Sequence, residues 1–366
     1  MTRKPRARDI GLTFGGTPGP FNAITDVDNV TVGFETVIED AVAGKHKGLC
    51  TGVTAIIPRG VSGDIAPVWA GIHSFNGNGE LTGGHHIADL GWFLGPVMLT
   101  NSHGVGMVSH ATVGWMIDRY PEVFEQDHMW CLPVVGETYD GVLNDINARA
   151  VTEAHARAAL DGARDGPVAE GNVGGGAGMI AYEFKGGTGT GSRRVTVGGQ
   201  GYDLGVLVQA NHGSRDGLTI SGTPVGQYMR EDLVHPRETG SIIVVIATDA
   251  PLLPHQLNRL ARRGSIGIGR NGTSGGHYSG DIFLAFSTAN PTAYPWHAPD
   301  VMTLQALSDA HLDAFYTAAV QAIEEAVINA MIAAEDRMTV KPAGQRVRAI
   351  DHAQLLDILD EKGRGR

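Results

Sequence analysis

Two almost continuously apolar stretches constrain this chain most. Residues 242–247 read IIVVIA and residues 282–287 read IFLAFS, with none of the polar alternation that a strand with one wet face would show. Short runs of this kind are strands covered on both faces. Helical patterns accompany them. Residues 251–263 carry Leu253, Leu257 and Leu260 at helical spacing, with Pro254 in the first turn, where its missing N–H is tolerated. Residues 308–336 give the clearest helix, with Leu312, Phe315, Ala319, Ile323, Val327 and Met331 on one face. Doubly covered strands with helices between and after them require a layered α/β arrangement. No linker clearly divides the 366 residues, so one large domain spanning 1–366 is expected.

The remaining segments fill in this plan. Residues 30–37 alternate like a half-buried strand, and residues 52–58 (GVTAIIP) form another short β-rich run. Residues 89–99 are expected to form a buried helix after the glycine-rich stretch 81–84. Residues 144–164, rich in Ala, Arg and Glu, read as a surface helix ending near Gly162. Residues 171–178 read as a loop, 202–210 as a strand, 211–239 as irregular, and 351–359 as a short closing helix. The chain holds 52 glycines, about twice the usual share. They cluster, as at Gly174 to Gly176, without a three-residue period, which points to tight turns and close backbone approaches.

Several function classes are disfavoured. The formal net charge is −11, and apart from Arg3, Lys4, Arg6 and Arg8 near the start no basic face forms, so no nucleic-acid partner is expected. Cys50 and Cys131 make no disulfide framework and no C-x-x-C pair. Together with the lack of an apolar run after the basic start, this fits a reducing, cytoplasmic setting. No run of about 18 apolar residues points to a membrane span. Gly267, Gly269 and Gly272 match the spacing of a dinucleotide-binding loop, but no strand–turn–helix pattern frames them. Gly272-x-Ser274-x-Gly276 matches a nucleophile elbow, with His297 or His311 as downstream partners. Glycine turns flank Ser274, however, where a strand and a helix belong. The 15 histidines form no H-E-x-x-H pair and no cysteine–histidine cluster, so neither a metal nor another cofactor is expected.

The junction Thr239-Gly240-Ser241 opens the first apolar run. A serine there is commonly a turn or edge residue. It also has a chemical reading. A hydroxyl held rigidly at a strand edge can attack the preceding carbonyl carbon, and glycine at that preceding position permits unusual backbone geometry. Cleavage would free an α-amine beside the hydroxyl, and such an amine, with a pKa of about 8, can act as its base.

Around this junction the sequence closely resembles the L-aminopeptidase/D-Ala-esterase/amidase family, which includes the β-peptidyl aminopeptidases. The resemblance runs nearly end to end: residues 4–9 (KPRARD), 22–27 (NAITDV), 133–138 (PVVGET), 172–174 (NVG), 209–211 (QAN), 240–243 (GSII), 247–251 (ATDAP), 279–283 (SGDIF) and 287–290 (STAN). It implies a four-layer αββα fold that looks like the N-terminal nucleophile hydrolases, with its own connectivity. It implies self-cleavage between Gly240 and Ser241 into 1–240 and 241–366, and assembly into tetramers of cleaved protomers. It implies an aminopeptidase or amidase acting on small peptides, amides or esters with a free amine. Ser241 matches the nucleophile, Ser279 and Asp281 the Ser-Gly-acid pair that supports it, and Asn211 the oxyanion donor. Tyr139 matches a tyrosine assisting the oxyanion or proton relay. Glu137 matches the carboxylate that holds the substrate ammonium, and Trp130 a pocket aromatic. Some members carry Glu where this chain has the shorter Asp281. The related self-cleaving acyltransferases use threonine as nucleophile, which Ser241 disfavours.

Overall fold

The two apolar runs lie side by side, in parallel, at the centre of one sheet. The structure, a computed structural model, describes residues 4–60, 65–127, 129–233, 240–291 and 297–363. In chain order the strands are β1 (Thr31–Glu39), β2 (Leu49–Ile57), β3 (Val68–Ser74), β4 (Trp92–Phe93), β5 (Val97–Asn101), β6 (Val134–Thr138), β7 (Ile180–Ala181), β8 (Phe184–Lys185), β9 (Gly187–Val197), β10 (Gln200–Asn211), β11 (Ser241–Thr248), β12 (Gly280–Ser287), β13 (Arg337–Val340) and β14 (Ala343–Val347). The α-helices are α1 (Gly84–Leu90), α2 (Val105–Arg119), α3 (Pro121–Gln126), α4 (Glu153–Asp161), α5 (Pro254–Ala261), α6 (Arg263–Arg270), α7 (Leu312–Ile332) and α8 (His352–Gly363). Among the described residues, one main sheet runs β1-β2-β5-β6 and the other β4-β3-β12-β11-β10-β9.

Side-chain alternation on β11 explains the layering. Ile242, Val244 and Ile246 pack in a cluster with Phe315, Ile323 and Val327 of α7. Ile243, Val245 and Ala247 pack in a second cluster with Val97, Leu99 and Val134 of the other sheet. Beyond that sheet, Val53, Ala55, Met98 and Val135 meet Ala111 and Trp115 of α2 and Leu160 of α4. The order is therefore helices, sheet, sheet, helices: the four-layer αββα arrangement expected. Strands β11 and β12 lie between β10 and β3, so the segment after Ser241 is woven into a sheet built largely from earlier chain.

Two expectations need correction. The helix expected over 89–99 is instead the end of α1, then β4 and β5. Gly91, with φ of 75°, caps α1 and stops it. Of the apolar side chains that follow, Phe93, Val97 and Leu99 are buried between the sheets, while Leu94 and Met98 pack in the cluster that holds α2 and α4. Periodicity alone does not separate a short buried strand from a helix. The long helix expected over 144–164 is a 3-10 turn at Ile146–Ala148, a left-handed Arg149, and then the short α4. Thr152 caps α4, its hydroxyl accepting from the His155 N–H, and α4 ends before Gly162 as expected. The dinucleotide-like glycines lie on and just after α6. A side chain at Gly267 would press its Cβ to within 2.7 Å of Ile323, so this glycine serves helix packing.

Helix α7 also buries charge. The fully buried Glu325 accepts from Arg8, from Arg193 at 2.8 Å and from Asn22 Nδ2 at 2.6 Å, tying the N-terminal segment to the core. Burial pushes the Glu325 carboxyl up, but Arg8 and Arg193 outweigh it and hold it below its ordinary range. Its contribution is therefore complete above the unfolded value near 4.3 and is lost only as pH falls through the lower folded value. Glu325→Ala strands the buried Arg193, and denaturant unfolding should show a loss of about 3–5 kcal/mol at neutral pH.

Candidate active site

Strand register gathers residues that are distant in sequence. Ser241 is paired across the sheet with Asn211 at the end of β10 and with Gly280 at the start of β12. Its side chain is largely buried, with the residue 5 % exposed, and its Oγ accepts a hydrogen bond from the Gly280 N–H at 3.0 Å. It lines a cavity of about 470 Å³ together with Asn78, Gly79, Glu80, Ser102, Glu137 and Tyr139. Two glycines make this crossing possible. A Cβ on Gly280 would sit 2.3 Å from the Asn78 carbonyl oxygen, and one on Gly240 would sit 1.7 Å from the Asn211 carbonyl oxygen. The residue before Ser241 must therefore lack a side chain for reasons of space. Thr239 lies outside the described residues.

The Asn211 amide is fixed at both ends. Its Oδ1 accepts from the Ile180 N–H at 2.8 Å, and its Nδ2 donates to the Tyr139 carbonyl at 3.1 Å. An amide nitrogen has two protons, so the second can serve an oxyanion forming at Ser241. The Tyr139 ring lies in the cavity wall and packs over Gly141. Ser279 and Asp281 are both fully buried, and Ser279 Oγ donates to Asp281 Oδ1 at 2.6 Å. They connect to Ser241 through the intervening Gly280 backbone.

Glu137 stands on β6 beside Thr100 of β5, 7 % exposed, at the cavity wall. Its Oε1 accepts from the Glu80 N–H at 3.0 Å, and its Oε2 accepts from the Ser102 hydroxyl. Burial pushes its pKa up. The Ser102 and Glu80 donors and the nearby His103 offset part of that rise, while the Glu80 charge adds to it. A buried carboxylate lining the same cavity as the Ser241 hydroxyl is arranged to pair with a cation entering that cavity.

The remaining candidates lie elsewhere. Trp130 is 47 % exposed and packs edge-on against His86 at 5.7 Å; it is not among the residues lining the cavity. Ser274 is exposed in the connection from α6 to β12, so a helix precedes it and a strand follows, the reverse of a nucleophile elbow. His297 pairs with Asp127 at 2.8 Å, and His311 sits at the start of α7. Among the described residues, no group of three or more His, Cys, Asp or Glu is placed to hold a metal, and no helix is long and apolar enough to cross a membrane. Sequence reasoning missed Asn76, Glu80, Ser102 and the Gly280 N–H. All reach the site from strand ends or connections, where spacing carries no signal.

Comparison with known proteins finds relatives along almost the whole chain. The model of peptidase family S58 matches residues 22–344. The chain is 46 % identical over 373 residues to beta-peptidyl aminopeptidase BapA of Sphingosinicella microcystinivorans, covering 97 % of this chain and 92 % of that one. It is 57 % identical to the L-aminopeptidase D-Ala-esterase/amidase of Ochrobactrum anthropi, with a TM-score of 0.95 over 99 % of both chains. That structure is described as a prototype for the serine aminopeptidases and a new variant among the Ntn hydrolase fold. A Burkholderia sp. beta-aminopeptidase is 45 % identical with a TM-score of 0.87, over 98 % of this chain and 99 % of that one.

Proposed function

The chain belongs to peptidase family S58, and from that premise we propose that it cleaves itself before Ser241 and then uses Ser241 to remove N-terminal residues from small peptides, amides or esters. One observation carries this reading above others. Ser241 and the buried Glu137 share one cavity, so a substrate ammonium at Glu137 lies in the same space as the nucleophile. The enzyme is a peptidase of the N-terminal nucleophile type.

The self-cleavage step needs no outside reagent but water. Ser241 Oγ attacks the Gly240 carbonyl carbon, its proton passes to the departing Ser241 nitrogen, and an ester replaces the amide. Water then adds to the ester and releases the Gly240 carboxylate, leaving Ser241 with a free α-amine. After the cut, β11 and β12 remain hydrogen-bonded to β10 and β3 and share two apolar clusters with the larger fragment. This supports two fragments, 1–240 and 241–366, that stay together.

In turnover the new α-amine takes the Ser241 hydroxyl proton as Oγ attacks the substrate carbonyl. Asn211 Nδ2, aided by the Tyr139 hydroxyl, stabilises the oxyanion. The protonated amine passes its proton to the leaving group, and water hydrolyses the acyl-enzyme. Ser279 and Asp281 hold the nucleophile's surroundings in place, and Glu137 pairs with the substrate ammonium. Assembly into tetramers of cleaved protomers is a further expectation, which light scattering measures directly.

The test compares free-amine substrates with their N-acetylated counterparts. The wild type should hydrolyse only the free-amine forms. Glu137→Gln should raise KM about 10-fold to 100-fold, the worth of a hydrogen-bonded charge, with kcat less affected. Because the Glu137 pKa is raised and the carboxylate form binds the ammonium, wild-type KM should climb as pH falls towards that raised value. In Glu137→Gln this rise should vanish. Equal hydrolysis of acetylated substrates by the wild type would contradict the reading.

A further inference from the structure

The carboxylate of Asp281 has a second partner that the assignments above leave without a role. Its Oδ1 accepts a hydrogen bond from the Ser279 hydroxyl at 2.6 Å, and its Oδ2 accepts from Asn76 Nδ2 at 3.1 Å. Asn76 Nδ2 also reaches the Gly276 carbonyl at 3.3 Å, and the Ser279 N–H donates to that same carbonyl at 2.9 Å. The backbone repeats the connection: the Phe75 N–H donates to the Asp281 carbonyl at 2.9 Å, just beyond the end of β3. One side chain thus joins the buried carboxylate to the turn that carries Ser279.

The chemistry of this chain of bonds is directional. An amide nitrogen only donates, so Asn76 favours an ionised Asp281. An ionised Asp281 in turn accepts the Ser279 hydrogen bond, which leaves the Ser279 lone pairs free to act as an acceptor. Ser279 precedes Gly280, whose N–H already contacts Ser241 Oγ. We propose that Asn76 is a positioning residue for the reaction: it keeps Asp281 ionised and turned towards Ser279, and so keeps Ser279 an acceptor next in the chain to Gly280, whose N–H holds Ser241 Oγ. The proposal rests on the reading that Ser279 and Asp281 support Ser241.

The experiment measures kcat and KM against pH for the wild type, Asn76→Ala, Asn76→Asp and Asp281→Asn, with thermal melts to establish folding. Asn76→Ala should lower kcat about 10-fold to 100-fold, the worth of one hydrogen bond to a charged group, with KM unchanged within about twofold. Asn76→Asp sets a second carboxylate against Asp281. The two cannot both ionise at that distance, so the acid limb of the profile should move up by about one pH unit or more. A merely structural Asn76 would lower the melting temperature and leave that limb in place. If Asn76→Ala does not accumulate as folded protein, the near-isosteric Asn76→Asp carries the test by its acid limb alone. An unmoved acid limb in Asn76→Asp overturns the proposal. Asp281→Asn separates the two levels. Wild-type kcat in Asp281→Asn removes Asp281 from the reaction and the proposal with it. Loss of kcat there, beside unaltered Asn76 variants, overturns the proposal alone.

Discussion

Ser241→Ala is expected to remain a single 366-residue chain and to lose about 10⁴-fold to 10⁶-fold in kcat/KM on any aminoacyl amide. Two functions vanish with one oxygen. Without Oγ nothing attacks the Gly240 carbonyl, so the α-amine that serves as base is never released. Without Oγ there is also no acyl-enzyme. The fold should survive, because the side chain's hydrogen bond is a single contact from the Gly280 N–H at a strand end. An unchanged melting temperature beside abolished activity separates chemistry from folding. Ser241→Cys supplies the complement: a thiol can still make the N-to-S shift, so the chain should cut, though at an altered rate.

The second large effect is expected at Asn211. Removing one preorganised oxyanion donor typically costs 10²-fold to 10³-fold in kcat, about 3–4 kcal/mol. Register places Asn211 directly across from Ser241, and its bonds to Ile180 and Tyr139 hold the amide at one angle. Asn211→Ala should therefore lower kcat by that factor and leave KM nearly unchanged, since the oxyanion exists only after attack. It should also slow self-cleavage, whose tetrahedral intermediate forms at the same hydroxyl. Some stability is lost as well, because the Ile180 N–H and the Tyr139 carbonyl lose their partner. A folded Asn211→Ala protein with kcat within threefold of wild type would remove Asn211 from the oxyanion role.

The legible parts of the fold were those where burial imposes an unmistakable pattern. Strands β11 and β12 are apolar on both faces because each face meets a different core cluster, and their short length, with the β-branched content of β11, reads as strand. Helix α7 was legible for its long stripe, although its buried Glu324, Glu325 and Asn329 depart from any apolar pattern. The 89–99 region failed because one glycine, Gly91, ends a helix that apolar content alone would continue. The site divides in a similar way. Ser241, Asn211, Ser279, Asp281, Tyr139 and Glu137 came from resemblance, and the structure sets Ser241, Tyr139 and Glu137 around one cavity, with Asn211 and Gly280 flanking the nucleophile. Asn76 and Ser102 left no trace in spacing, because strand register and loop crossings bring them in. The glycine before Ser241 was expected for backbone freedom; the crowding of Asn211 against it gives a second reason that only packing reveals.

The proposed chemistry turns on one bond, between Gly240 and Ser241. Intact mass measurement of the purified protein, with N-terminal sequencing of each polypeptide, tests it most directly. The account predicts two polypeptides that co-purify, the larger ending at Gly240 and the smaller beginning Ser-Ile-Ile at residue 241. A single intact chain that hydrolyses aminoacyl amides at full rate, or a new N-terminus at any other residue, would contradict it.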